Sequence, residues 1–364
     1  MALYCEIHHA YVYDRGGQRV IGSLGNLARV QWERRRDDIS VAQVIVTAFT
    51  PECERVLGLM RTIRHELVIF RGDVRVWEGP ITHLAFQRGQ VEVTAQDVVL
   101  RLARTVMLAE YNSAYPNVQP AITRVSQILT AELARMEALD PPINVLPHVV
   151  LHQNPTDART ASHTLPYEGT VFDHLDTLAA RGGIDYVAIG RAIHLFDVDT
   201  PLGKAPPVSH GDFIGDVIVT EYGMDMASRT YVTDGRGNAG SSGGSDPFYG
   251  LVERVHNAFD ETAEEAEAPS VAELASQAAR LQSAANPAPV VVRVPDNSRI
   301  NPAGALSLDL LVPGVWVPLV AEVPGRSVSA WQKIDRVRFE ENPLAGERIS
   351  LTLSPAPHGG VEPE

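Results

Sequence analysis

The chain has 364 residues, 45% of them hydrophobic and 21% charged, with a formal net charge of −14. That length accommodates roughly two to four domains with real cores, and the acidity argues against a nucleic-acid grip, which needs a basic footprint. No apolar run approaches the roughly 18 residues that span a bilayer, the start of the chain carries Glu6 and Asp14 without a basic leader region, and two cysteines, Cys5 and Cys53, make no disulfide framework.

Residues 1–104 read as a β-module. The stretch AYVYD-RGG-QRVIG predicts a hairpin around Gly16-Gly17. Residues 39–49 (ISVAQVIVTAF) are rich in β-branched side chains and stop before Pro51. LVIFRGDVRVWEG predicts two strands around Gly72-Asp73, a two-residue turn signal. HLAFQRGQVEVTA turns at Arg88-Gly89, after which Val91, Val93 and Ala95 share one face and Gln90, Glu92 and Thr94 the other. That period of two marks a half-buried antiparallel strand, and many short strands with regular turns favour a small barrel or sandwich. A helix over QDVVLRLAR is expected to close the module.

Residues 105–212 read as an α/β domain. Ile122, Val125, Ile128, Leu129, Leu133 and Met136 form one stripe at helical spacing over 120–139, ended by Asp140-Pro141-Pro142. Residues 143–166 are a proline- and histidine-containing loop. Thr170 caps a helix carrying Val171, Leu175 and Leu178, which Gly182-Gly183 stops. IDYVAIGRAIHLF is a hairpin turning at Gly190-Arg191.

The strands in DVIVTEYGMD and ASRTYVTDG follow, then a Gly/Ser loop, an acidic connector and a helix from a Ser270/Glu273 capping box to about 285. Short strands return in VVVRV, ALSLDL, VWVPLV, WQKIDRVRFE and RISLTLS, with turns at Pro313-Gly314 and Pro324-Gly325. A lone strand pair at 213–236 needs a sheet, so it is expected to join 289–356 in a second barrel-like domain, split by the insert 237–288. Residues 357–364 read as a loose tail.

Candidate chemistry is thin. Adjacent His8 and His9 on a strand point to opposite faces. His148, His152 and His163 share one loop segment but lack a Cys or acidic partner at tight spacing. His65-Glu66 runs into Leu67-Val68-Ile69-Phe70, so the second histidine of a zinc-protease helix is missing. Asp234–Gly240 is glycine-rich without a Gly-Lys-Ser/Thr ending. No nucleophile elbow is expected, so a hydrolase triad has no anchor. The carboxylate pairs Asp37-Asp38 and Asp173/Asp176 read as solvated or capping groups, and the basic run Arg34-Arg35-Arg36 is answered by Asp37-Asp38, as a salt-bridge patch would be. No metal or cofactor site is expected.

Four stretches carry a resemblance. They are Trp32-Glu33-Arg34-Arg35-Arg36-Asp37-Asp38 leading into a strand; Trp77-Glu78-Gly79-Pro80-Ile81 followed by VEVTAQDVVLRLAR; Tyr249-Gly250-Leu251-Val252-Glu253 followed by SVAELASQAARLQSAANP; and Leu311-Val312-Pro313-Gly314-Val315-Trp316-Val317 followed by IDRVRFEENPLAGERISLTLS. In this order the chain resembles the tail-hub (minor tail) proteins of long-tailed phages of actinobacteria, which are similar in plan to the baseplate hubs of contractile tails.

The resemblance implies a mainly β fold with α/β inserts: two barrel-like β domains plus an α/β domain. It implies a structural, non-enzymatic homotrimer at the virion tail tip, made in the host cytoplasm. That ring would link the distal tail protein to tip and fibre proteins around the tape measure and a DNA channel, without specific DNA binding or membrane insertion. Trimerisation would triple the chain's negative charge, which suits a lumen that DNA slides through. Many related hubs continue into enzymatic or receptor-binding regions, whereas this chain ends soon after its last strand, so such activities are expected on other proteins. Trp32, Arg34, Arg35 and Trp77 in the first barrel, and Trp316 and Trp331 in the second, are the expected packing or interface residues. The alternative is a tail protein that binds host cell-wall glycan, with Tyr111, Tyr115 and Tyr167 as its loop aromatics.

Overall fold

The computed structural model describes residues 4–47, 49–112, 120–139, 147–152, 163–164, 167–215, 217–257, 269–293, 299–301, 304, 306–324 and 326–356. The first module opens with a hairpin of β1 (His8–Asp14) and β2 (Val20–Leu24), turned at Gly16 and Gly17, whose φ angles of 92° and 64° suit glycine. β3 (Leu27–Arg35) and β4 (Val41–Thr47) follow, then α1 (Pro51–Leu59). The Thr50 hydroxyl caps α1 by accepting from Cys53 N, Pro51 takes the first helical position, and Glu52 and Glu54 face the positive helix end. β5 (His65–Arg71), β6 (Val74–Gln87) and β7 (Gln90–Gln96) complete the sheet through the two expected hairpins.

β6 serves two sheet segments. Its first half pairs with β5 as far as Pro80 and its second with β7 from Ile81, and Gly79 lies just before the changeover. A Cβ on Gly79 would stand 1.9 Å from Gln96 O, so only glycine lets the strands cross this closely. The expected closing helix is shorter than predicted: α2 spans only Leu100–Ala103. The Asp97 carboxylate accepts from Ser40 N and Val99 N, which ties the preceding residues to the sheet instead.

In the middle domain, α3 (Ala121–Leu139) buries Ile122, Val125, Ile128, Leu129 and Leu133 at the expected spacing. β8 (His148–Leu151) lies parallel to β10 (Ala192–Asp197), which pairs on its other side with β9 (Ile184–Ile189). α4 (Val171–Gly182) covers this sheet, held by a Thr170/Asp173 capping box and a left-handed Gly183. Leu175, Leu178, Tyr186 and Leu195 meet α3 in a second core.

The rest of the chain contains β11 (Gly203–Lys204), β12 (Val208–Ser209), β13 (Ile218–Glu221), β14 (Arg229–Thr233), β15 (Ala239–Gly243), β16 (Glu253–Asn257), α5 (Val271–Ala285), β17 (Val290–Arg293), β18 (Val315–Val323), β19 (Arg326–Asn342) and β20 (Gly346–Pro355). Two expectations change here. ALSLDL is no strand, because Leu308–Leu310 form a short 3-10 turn. The strand pair assigned to the second barrel also divides. β13 pairs with β17 in the C-terminal sheet, but β14 pairs with β15 and β16 in a sheet of its own. α5 packs on that small sheet around Val232, Leu274 and Ala278. Gly240 decides the packing: a Cβ there would lie 2.1 Å from Ala275 N, so glycine lets the helix backbone rest directly on β15.

The fold is mainly β with an α/β part, as expected, yet the two β-modules do not close separately. β19 pairs with β3 from Arg336↔Arg35 to Glu341↔Val30. The result is one 14-stranded sheet, its main path running β13-β17-β20-β19-β3-β4-β7-β6-β5-β1-β2, with β18 also on β19 and β11 and β12 on β18. Each module alone would present an unpaired edge at β3 or β19, and joining them satisfies both rows of backbone groups.

Candidate functional site: the intramolecular junctions

The β3–β19 seam is closed by a carboxylate. Glu341 Oε1 accepts from Glu6 N (2.8 Å) and Ile7 N (3.0 Å), and Oε2 accepts from His8 N (2.9 Å) and His8 Nδ1 (2.8 Å). His8 Nε2 in turn accepts from Trp32 Nε1–H at 3.1 Å, and an indole can only donate. The ring therefore carries its proton on Nδ1. Burial would raise the Glu341 carboxyl, but the His8 ring and three backbone N–H groups outweigh it and hold it down at about 2. Cys5 belongs to the same seam: its N donates to Leu27 O and its thiol to Glu341 O. Burial and the nearby Glu341 push that thiol up to about 12, so it stays protonated and is no nucleophile.

A second junction ties three parts of the chain together. Asp185 on β9 accepts from Lys333 Nζ of β19 at 2.6 Å and pairs with Arg36, which follows β3. Lys333 and Asp185 are each only 2% exposed. Arg36 also reaches Asp335 and Asp37, both at 2.8 Å. Asp37 and Tyr186 exchange backbone-type bonds: Asp37 N donates to Tyr186 O, and Tyr186 N to Asp37 Oδ1. Burial and the neighbouring Asp185 push the Asp37 carboxyl up against the pull of Arg36. Nearby, Arg191 from the β9–β10 turn enters a pair of buried acids on the first module, Glu66 and Glu78. Every acid in these clusters faces a fixed donor, so the clusters act as internal fasteners.

The expected interface residues fall mostly inside the molecule. Trp32 is 1% exposed and stacks on Phe339 with centroids 3.9 Å apart and planes at 9°. Trp77 is buried and donates to Glu33 O, and Trp316 is buried in the C-terminal sheet. These three indoles take the packing alternative of the expectation, each buried against its own chain. Arg35 pairs with Glu33 and Asp38. Arg34 lies over the Trp32 ring and donates to Val76 O. Trp331 is half-buried with Lys204 Nζ 5.5 Å from its ring.

The remaining candidates disperse. Tyr111 is half-buried against the second core, Tyr115 lies outside the described residues, and Tyr167 is 77% exposed. His152 Nε2 and His194 Nδ1 lie in hydrogen-bond contact at 2.6 Å, and burial and the neighbouring ring lower His194 to about 4. Among the described residues no group of three or more His, Cys, Asp or Glu is placed to hold a metal ion, and no helix is long and apolar enough to cross a membrane. Gly240-Ser241-Ser242-Gly243-Gly244 has the spacing of a nucleophile elbow, which the sequence reading passed over. Ser242 sits mid-strand opposite Thr230, so the strained strand-to-helix turn that such chemistry needs is missing. Sequence reasoning also missed Glu341, His8, Asp185 and Lys333 as a group, because nothing local marks them as partners.

No family model matches the sequence, and no curated protein does. Solved structures do match over nearly the whole chain. The 43 kDa tail protein of prophage MuSo2 from Shewanella oneidensis superposes with a TM-score of 0.60 at 12% identity, covering 98% of this chain and 100% of that one. The tail protein from Neisseria meningitidis MC58 gives 0.61 at 13% identity, covering 97% and 99%. This chain has the fold of phage tail proteins. An E. coli component of the type VI secretion system, described as structurally similar to the T4 tail proteins gp27 and gp5, gives 0.52 at 12% identity over 93% of this chain and 76% of that one. The mainly β architecture expected from the sequence is thus shared with tail proteins at the level of fold.

Proposed function

We propose that this chain is a structural hub of a phage tail tip, acting through its surfaces and without catalysis. The observation that carries the reading is full-length likeness to tail proteins, end to end in both chains, on a frame whose two β-modules are welded into one sheet. In this reading the hub is a homotrimer of a long-tailed phage, of the kind that infects actinobacteria. It joins the distal tail protein to tip and fibre proteins and surrounds the tape measure and DNA. The internal fasteners support a load-transmitting part, since buried ionic clusters between modules resist their sliding. The net charge of −14 suits a wall that DNA passes without sticking. A turn exposing Phe248 (87%) and Leu251 (56%) is the kind of apolar surface that assembly covers.

Negative-stain electron microscopy of the purified chain, with its mass measured by light scattering, tests the proposal. Three-fold rings with a central hole are expected. A monomer at high concentration that also fails to co-purify with co-expressed tail proteins would overturn it. The glycan-binding alternative keeps only Tyr167 among its described aromatics as a well-exposed ring, and one ring is a weak sugar platform.

A further inference from the structure

A cavity of about 330 Å³ lies where the first module, the middle domain and the C-terminal module meet. Its size is at the lower end of the roughly 300–1,000 Å³ typical of small-ligand sites. Val74 and Arg75 of the β5–β6 hairpin form its exposed mouth. The stacked pair Trp32 and Phe339 forms its floor, with Leu308 and Val312 at the side.

Three guanidinium groups line it: Arg34, Arg71 and Arg75. Two are answered. Arg71 makes a fork to Glu347 with both bonds at 2.8 Å, and Arg75 pairs with Glu78 at 3.2 Å. Arg34 is different. It donates to Val76 O at 2.8 Å and its Cζ lies 5.3 Å from the Trp32 ring centroid, but among the described residues no carboxylate pairs with it. Arg34 is half-buried, and the burial of its guanidinium pushes it down to about 10. Asp309 also lines the cavity, yet it is exposed, where water and salt screen it.

We propose that this cavity is a binding site for an organic carboxylate, with the apolar body against Trp32, Phe339, Leu308 and Val312 and the carboxylate on Arg34. The planar guanidinium can stack on Trp32 and still offer N–H groups to a carboxylate, which a lysine ammonium cannot do. The low-dielectric floor strengthens that bond, and the arriving anion supplies the missing counter-charge. The same chemistry is offered by a free small acid or by the carboxylate of a docked chain. The site rests on the cavity alone and does not depend on the tail-hub reading.

The test is calorimetric titration of the full chain with phenylacetate and phenylacetamide, with N-acetylphenylalanine and its amide, and with inorganic phosphate. At least one acid is expected to bind saturably, about tenfold or more tighter than its amide. The R34Q variant should lose about tenfold or more in that affinity, and R34K should fall between. Tighter phenylacetate identifies a free small acid, and tighter N-acetylphenylalanine a chain end. Equal binding of acid and amide, no saturation by either acid, or unchanged affinity in R34Q overturns the proposal, as does saturation by phosphate alone. If R34Q fails to fold, R34K and the acid–amide comparison on the native chain decide the outcome.

Discussion

Glu341 and His8 lie 333 residues apart in sequence and share a buried 2.8 Å hydrogen bond, in which the imidazole Nδ1–H donates to the carboxylate. The same carboxylate takes three backbone N–H groups from Glu6, Ile7 and His8. One side chain near the end of the chain therefore anchors its beginning, and does the work that a further row of strand pairing would do.

That anchor predicts an acid-sensitive seam. The folded Glu341 carboxyl sits at about 2, below its ordinary value near 4.5. A depressed acid stabilises the fold fully above its unfolded pKa and loses that contribution as pH falls from about 4.5 to about 2. The shift corresponds to about 3 kcal/mol, or on the order of 2 kcal/mol after solvent screening. The E341Q variant should lose about that much at pH 7 and show a flatter stability profile between pH 5 and pH 2 (both approximately). Urea unfolding across that range measures both, and an unchanged profile would remove Glu341 as the cause.

Trp32 and Phe339 stack opposite each other across the β3–β19 pairing that joins the two β-modules. Phe339 is 3% exposed, so F339A leaves a cavity beneath the stacked indole. The expected loss is about 3–5 kcal/mol. Denaturant unfolding followed by tryptophan fluorescence should show one transition at a lower midpoint. Two separated transitions would mean that the modules fold independently despite the shared sheet.

Lys333 and Asp185 form a pair whose members cannot be removed singly without penalty. K333M strands Asp185 with Arg36 alone and should cost about 3–5 kcal/mol, whereas the double variant K333M/D185L should recover part of that loss. A double-mutant cycle measures the coupling. Additive losses would show that the two charges act separately.

Gly240 holds α5 against β15. G240A places a methyl group 2.1 Å from Ala275 N and should destabilise the β14–β16/α5 unit by about 1–3 kcal/mol. Hydrogen exchange should speed up in residues 229–243 and 271–285 and stay unchanged in β3 and β19. Uniform acceleration would contradict a local unit.

Much of this architecture was legible because its causes are local. Gly72-Asp73, Arg88-Gly89 and Gly190-Arg191 turn where their φ preferences say they should, and Thr170 and Ser270 cap helices with acids three residues on. Alternation in β7 and the helical stripe of α3 named their buried faces before any contact was known. What the sequence by itself determined was therefore the elements, their order and the mainly β class, since each follows from the spacing of a few neighbouring residues. Only the tertiary structure decided that the two β-modules share one sheet, that β14 leaves it, that the indoles face inward and that Arg34 meets no carboxylate among the described residues. Those outcomes depend on pairings such as Trp32 with Phe339, Asp185 with Lys333 and His8 with Glu341. Each joins residues at least 148 positions apart in the chain. No local periodicity encodes such a pairing, because its energy exists only once the chain has brought the two surfaces together and removed the water between them.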